Sequence, residues 1–217
     1  MIEEVSNYLN QIRHEFTKAA LNEEAADNNP LEQYAKWFEE AVGGQVLDPK
    51  AMVISTVNAE GKPSSRVVYT RGVTDKGMLF YTNYLSRKGH DLADNPHISI
   101  NIFWPEMERQ IRFEGLVHRV SDIESDAYFA ARPRESQIGA WASEQSQTIT
   151  NRKELENRVK QFEEEFKGKD VPRPPHWGGY EVEINYAEFW QGRPARLHDR
   201  IIYELKNGKW ELYRVAP

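Results

Sequence analysis

At Ala51 the spacing of apolar residues changes from helical to strict alternation, and it keeps that period through AMVISTVN, SSRVVYTR and MLFYTN. Only short turns, at Ala59 to Lys62 and at Asp75 to Gly77, separate these runs. A period of two sends successive side chains to opposite faces, and connections this short join antiparallel neighbours. HISINIFW and RQIRFEGLVHRV continue the pattern, GYEVEIN and AEFWQ resume it, and RIIYELK and KWELYRV flank Asn207-Gly208, the pair that a type I′ hairpin turn prefers. Strands outnumber any strand-helix-strand crossover units, so a mainly β fold is expected: a small antiparallel barrel carrying peripheral helices.

The helices announce themselves by spacing and caps. Ile2, Val5, Leu9, Ile12 and Phe16, with Glu3 and Glu4 in the first turn, predict an amphipathic helix to about Leu21. Asn29 as N-cap, Pro30 at the first helical position and Glu32 two residues on predict a second, stopped by Gly43-Gly44. A short helix is expected from Ser86 to about Asp94, another from a Ser121/Glu124 capping box to Ala131, a third through about Ser136 to Ala142, and a longer one carrying Leu155, Val159, Phe162 and Phe166 to Gly168. VPRPPHWGG reads as a stiff connection.

Composition narrows the chemistry. With no cysteine among 217 residues, disulfides, thiolate metal sites and cysteine nucleophiles are out; His and carboxylate metal sites stay formally open, and none is expected. A net charge of -6 argues against nucleic acid as a partner, which calls for an excess of cations. No stretch reaches the roughly 20 apolar residues of a membrane span, and the acidic start lacks a secretory signal, so a soluble, cytoplasmic protein is expected. G-x-G-x-x-G, Walker, G-x-S-x-G and H-E-x-x-H motifs are absent.

What remains is a set of cations in aromatic or apolar surroundings: Arg66 and Arg71, Arg87-Lys88 at a helix start, Arg132 and Arg134 around a proline, and Arg196, His198 and Arg200 near the end. Buried cations need anionic partners. Alternation puts Arg66, Val68 and Thr70 on one strand face and Val67, Tyr69 and Arg71 on the other. Ser86-Arg87-Lys88 joins helix N-H donors to two cations, a phosphate-binding combination, although it also fits a solvated first turn. Tyr128, Arg132 and Ser136 can jointly hold one phosphate; a core tyrosine beside a surface ion pair is the ordinary alternative. EFWQGRPARLHDR gathers Trp190, Arg196, His198 and Arg200, where a tryptophan can cover a planar ring and a lone histidine is more often a satisfied core residue.

EFWQGRPARLHDR resembles the C-terminal signature of the pyridoxamine 5'-phosphate oxidases: Glu-Phe-Trp-Gln, a four-residue gap, then Arg-Leu-His-Asp-Arg. RHEFTKAAL, DPKAMVISTV, GMLFYTNYLSRK, ERQIRFEG, YFAARPRESQIGAWASEQS and the closing RVAP resemble the same family in the same order, covering residues 8 to 217. The resemblance implies an antiparallel split β-barrel that binds FMN and forms a homodimer with both sites at the subunit interface. It implies one domain over 1–217: helices and lid in 1–45, barrel with inserted helices in 46–170, and strands completing site and dimer in 171–217. The implied reaction is oxidation of pyridoxine 5'-phosphate or pyridoxamine 5'-phosphate by dioxygen to pyridoxal 5'-phosphate and hydrogen peroxide.

Carried over position by position, the family's FMN contacts fall on Arg66 with Val67, Val68, Tyr69, Thr70 and Arg71, on Tyr81-Thr82, and on Arg87 and Lys88. Gln110, Gln145-Ser146, Trp190 and Arg200 complete that set. Arg66, Arg87 and Lys88 would meet the cofactor phosphate; Gln110, Trp190 and Arg200 would lie near its rings. Substrate phosphate falls to Arg71, Tyr128, Arg132 and Ser136. Arg196 and His198, expected to be catalytic, lie with Leu197 beside the substrate ring, and Arg13, His14, Glu15 and Phe16 match a segment that closes over it. Two departures stand out. Arg71 replaces a common lysine, exchanging a compact ammonium for a planar fork, and Phe16 stands where relatives can have tyrosine. A phenazine-pathway oxidase of the same superfamily and a non-catalytic flavin or pyridoxal phosphate store are the competing readings.

Overall fold

The computed structural model describes residues 15–217, so the expectations for the first fourteen residues, including Arg13 and His14, lie outside the described residues. Two compact units share the chain, one built from Lys50–Asn101 and Phe113–Asn185, the other from the described residues up to Pro49 with Ile102–Arg112 and Tyr186–Pro217.

The first unit is the sheet that the alternation demanded. Its strands β1 (Ala51–Val57), β2 (Pro63–Tyr69), β3 (Gly72–Val73) and β4 (Gly77–Asn83) join parts of β5 (His97–Trp104), β6 (Arg109–Arg119) and β7 (Trp177–Gln191) in the order β2-β1-β5-β6-β7-β4-β3. β1 pairs antiparallel with β2 and β5, and β4 with β3 and β7. Met52, Ile54, Phe80, Ile100, Phe113 and Val182 are buried, each contributing about 1.5–3 kcal/mol relative to exposure. Helices α2 (Arg87–Asp94), α3 (Asp122–Ala130), α4 (Arg134–Ala142) and α5 (Arg152–Glu165) surround this sheet in the sequence. Phe129, Ile138, Phe166, Val171 and Trp177 form a satellite core of their own.

In the second unit, α1 (Pro30–Gly43) starts as its caps predict, with the Asn29 side chain accepting from Leu31 N at 2.8 Å. It buries Tyr34, Trp37 and Ala41, and Trp37 meets Phe189 edge to face at 5.1 Å. The end of β7 pairs with β8 (Asp199–Lys206), which turns into β9 (Lys209–Arg214) through Asn207 and Gly208 at φ 50° and 76°, the left-handed pair of a type I′ turn. Among the described residues no helix is long and apolar enough to cross a membrane.

Three local expectations are corrected. Residues 15–21 are not helical: Thr17 N and Lys18 N donate to the Glu108 carboxylate and Leu21 N donates to Asp199, so side chains far along the chain take the donors that a helix would have used. GYEVEIN and AEFWQ are one fifteen-residue strand, β7, because Tyr186 and Ala187 stay extended and paired to β8. The strand expected through Arg71 stops at Tyr69; Arg71 N instead donates to Leu79 O at 2.8 Å, so Arg71 is freed from strict face alternation.

Candidate active site

In the first unit the cations converge. Ser86 caps α2 by accepting from Gly89 N, and residue 89 has to be glycine because a Cβ there would stand 2.1 Å from Tyr84 O. This sets Lys88 pointing inward at 8% exposure, its Nζ donating to Gln145 Oε1 at 2.7 Å, Thr82 Oγ1 at 3.1 Å and Ser86 Oγ at 3.3 Å. All three acceptors are neutral. Burial, and then the charge of Arg66, push the Lys88 ammonium down to about 8. Arg66 itself is held by Thr56 and Ser64 hydroxyls and is likewise shifted down by burial, partly offset by Asp91.

Arg66 and Lys88 line one pocket of about 290 Å³ together with Arg71, Tyr81, Thr82, Tyr128, Arg132 and Gln145. Val67, Val68 and Tyr69 form part of its wall. Tyr81 and Tyr128 stack at 3.7 Å between centroids, and Trp177 continues the stack. The Arg132 guanidinium lies 4.4 Å from the Trp177 ring, with a buried Nη1 that makes no hydrogen bond among the described residues. Burial lowers its pKa too, although an arginine stays charged. A neighbouring pocket shares Arg132, Gln145 and Trp177 and adds Ser136. This wall is a desolvated cationic surface with spare N-H donors, the chemistry that phosphate oxygens satisfy.

The other expected residues are placed differently. Thr70 turns its hydroxyl to Gly72 O, Arg87 is exposed and acts on Arg66 through its charge, and Ser146 is exposed at φ 73°. None of the three lines the pocket.

The second unit carries its own cluster. Phe16, Trp190 and His198 meet at 5.5 Å (Phe16 to Trp190), 5.1 Å (Phe16 to His198) and 4.6 Å (Trp190 to His198). His198 Nδ1 accepts from Arg193 N at 3.1 Å, so in the neutral ring Nε2 carries the proton. Burial, with Arg196 nearby, lowers its pKa and favours that neutral form. Arg196 and Leu197 are exposed on a turn where Ala195 and Arg196 both take left-handed φ, 56° and 61°. Arg200 grips the buried Glu188 carboxylate through Nε at 2.8 Å and Nη2 at 3.0 Å, and Arg112 shares that carboxylate. Glu15 is exposed and Gln110 half-buried on β6.

Sequence reasoning passed over Asp91, Thr56, Ser64, Trp177 and Glu188. A signal existed for two of them: Thr56 is the polar residue on the inward face of β1, and Asp91 sits one helical turn after Lys88.

Comparison with known proteins identifies the family. Residues 38–166 match the family model described as pyridoxamine 5'-phosphate oxidase, and residues 177–217 match the pyridoxine 5'-phosphate oxidase C-terminal dimerisation region. A pyridoxine/pyridoxamine 5'-phosphate oxidase of Bordetella pertussis is 51% identical over 211 residues, covering 96% of this chain and 99% of its own. One from Cyanothece sp. is 46% identical over 209 residues, with 96% and 98% covered. Among solved structures, PhzG from Burkholderia lata in complex with tetrahydrophenazine-1-carboxylic acid superposes with a TM-score of 0.86 at 28% identity, covering 91% of this chain and 98% of that one. The chain belongs to the pyridoxamine 5'-phosphate oxidase family.

Proposed function

We propose that this chain is an FMN-dependent oxidase that converts pyridoxine 5'-phosphate or pyridoxamine 5'-phosphate to pyridoxal 5'-phosphate. Each turnover removes two electrons and two protons from the substrate and gives them to dioxygen as hydrogen peroxide; with the amine, a water is consumed and ammonia leaves. The observation that carries this reading is the single pocket wall holding Arg66, Lys88, Arg71 and Arg132, four cations in space for phosphorylated rings.

The donor set fits FMN. Among the described residues Lys88 is a buried ammonium with neutral hydrogen-bond partners, and Arg66 is fixed beside it, so a dianionic phosphate would offset the desolvation of both. Gln145 and Thr82, already bonded to Lys88, would complete the cradle. When bound, FMN supplies the two-electron acceptor that dioxygen then regenerates.

Arg71, Tyr128, Arg132 and Ser136 would hold the substrate phosphate, Arg132 through the Nη1 that makes no hydrogen bond among the described residues. Arg196 and His198 would orient the substrate ring and stabilise charge, His198 offering Nε2-H to a substrate oxygen while Nδ1 stays occupied. In this reading the chain works in the cytoplasm as a homodimer, and the match of residues 177–217 to a dimerisation region supports the homodimer. The similarity to PhzG keeps a tricyclic, unphosphorylated substrate as the rival; the cationic wall is more than such a substrate needs.

The test is to load the protein with FMN, supply each phosphorylated vitamer under air, and measure pyridoxal 5'-phosphate and peroxide. Equimolar products are expected. Failure with both, or equal rates with unphosphorylated pyridoxine, would contradict the proposal.

A further inference from the structure

We infer that Asp91 is a positioning residue for the anion pocket: its buried carboxylate aims the Thr56 and Ser64 hydroxyls, which in turn hold Arg66 in place to meet a phosphate. The inference rests on the reading of this pocket as the cofactor-phosphate site.

The contacts form a two-armed relay. Asp91 Oδ2 accepts from Thr56 Oγ1 at 2.6 Å and from Ser64 Oγ at 3.1 Å, while Arg66 Nη1 donates to Thr56 Oγ1 at 2.7 Å and Nη2 donates to Ser64 Oγ. Arg66 Nη2 and Asp91 Oδ2 are 3.9 Å apart, too far for a direct hydrogen bond. A guanidinium only donates and a carboxylate only accepts, so each hydroxyl must take its hydrogen bond from Arg66 and give its one proton to Asp91. The two hydroxyls are 3.4 Å from one another, but with both protons committed to Asp91 neither competes for the other. One proton arrangement satisfies every group, and it fixes both ends of the guanidinium.

The β1-β2 register makes the relay possible. Thr56 lies opposite Ser64, and Arg66 lies opposite Ile54, two residues along on the same face, so both hydroxyls and the guanidinium share one side of the ladder. α2 brings Asp91 to that side from the same helix that carries Lys88. Thr56 is fully buried and Asp91 is 4% exposed. A buried hydroxyl or carboxylate is stabilised here by its partners, since leaving either unpaired costs free energy.

Asp91 also balances the local charge. Arg87 lowers the pKa of Arg66, and Arg66 lowers that of Lys88, whereas Asp91 is the carboxylate acting to raise Arg66. A flexible arginine that is already oriented loses less freedom when the phosphate arrives, so the benefit appears as affinity.

The experiment compares dissociation constants for FMN and for riboflavin, which lacks the phosphate, by flavin fluorescence with the full chain freed of flavin. Wild type, Arg66→Ala, Asp91→Asn, Thr56→Val and Thr56→Ser are measured. Asp91→Asn should weaken FMN about tenfold and leave riboflavin unchanged, by analogy with groups that orient a ligand from behind. Thr56→Val should do the same to a smaller degree, and Thr56→Ser, which keeps the hydroxyl, should restore wild-type binding. If Arg66→Ala discriminates between the flavins but Asp91→Asn and Thr56→Val do not, or weaken both flavins equally, the relay is wrong. If Arg66→Ala itself fails to discriminate, the phosphate reading of the pocket fails instead. Should Asp91→Asn not fold, the Thr56 pair decides alone.

Discussion

The Arg66-Lys88 pocket and the turn from Arg193 to Arg200 solve the problem of placing a functional cation in opposite ways. In the pocket, β2 and α2 hold the backbone in ordinary conformations, and neutral hydroxyls and amides orient the side chains. In the turn, Ala195 and Arg196 both occupy left-handed φ, at a cost of about 1–2 kcal/mol each. That turn persists because it is clasped: Arg193 N binds His198, Arg193 Nη1 binds Ala19 O, and Asp199 accepts from Leu21 N and pairs with Arg214. Regular structure is suited to holding an anion; a clasped, strained loop is suited to setting the angle of a group beside a reacting ring. Damage to the pocket should therefore appear in binding, and damage to the turn in turnover.

The largest effect expected from this contrast is on Lys88. Lys88→Ala removes a charged donor and should weaken FMN about a hundredfold, near 2.7 kcal/mol, while riboflavin binding holds; equal loss of both flavins would erase the distinction. Arg132→Leu should raise KM for pyridoxine 5'-phosphate about thirtyfold with kcat little changed, measured in steady-state assays.

For the turn, Gly192→Ala is the sharper probe. A Cβ there would lie 2.4 Å from Phe16 Cδ1, so Phe16 must leave Trp190 and His198. Turnover should fall about tenfold with FMN affinity intact.

The pH dependence separates the regions again. An anion binds charged Lys88; between the second pKa of a phosphate monoester, about 6, and the Lys88 pKa of about 8, the proton is already present and FMN affinity is flat, whereas above about 8 binding must take up a proton. FMN affinity should fall up to about tenfold per pH unit above pH 8, and Lys88→Arg should abolish that slope. The smallest effect expected is that of Phe16→Tyr, which adds one hydroxyl to the aromatic cluster. Turnover should change about threefold or less; a loss beyond roughly a hundredfold, near 2.7 kcal/mol, would mean that the role of this segment is misread.

Legibility in the sequence followed the range of the interactions. The Asn29 cap, the Ser121/Glu124 capping box and the Asn207-Gly208 turn are local chemistry, and each stands where the residues predict. Residues 15–21 show the limit, since Glu108 and Asp199, distant in sequence, take over their backbone donors. The pocket was readable as scattered cations, and family resemblance joined Arg66, Lys88, Tyr128 and Arg132 into two phosphate sites. Alternation alone puts Arg66 and Arg71 on opposite faces, whereas the resemblance puts both at the cofactor; the strand ends at Tyr69, which lets the two share a pocket. For Asp91 the helical spacing marks a neighbour of Lys88, but its partners Thr56 and Ser64 are identified only by the β1-β2 register and the approach of α2.

The most direct test of the account is anaerobic mixing of FMN-loaded protein with pyridoxine 5'-phosphate or with pyridoxine at equal concentration, watching the yellow flavin absorbance. Rapid bleaching is expected with the phosphorylated alcohol and little with the other, the difference disappearing in Arg132→Leu. Equal bleaching by both alcohols in the wild type, or none by either, would contradict it.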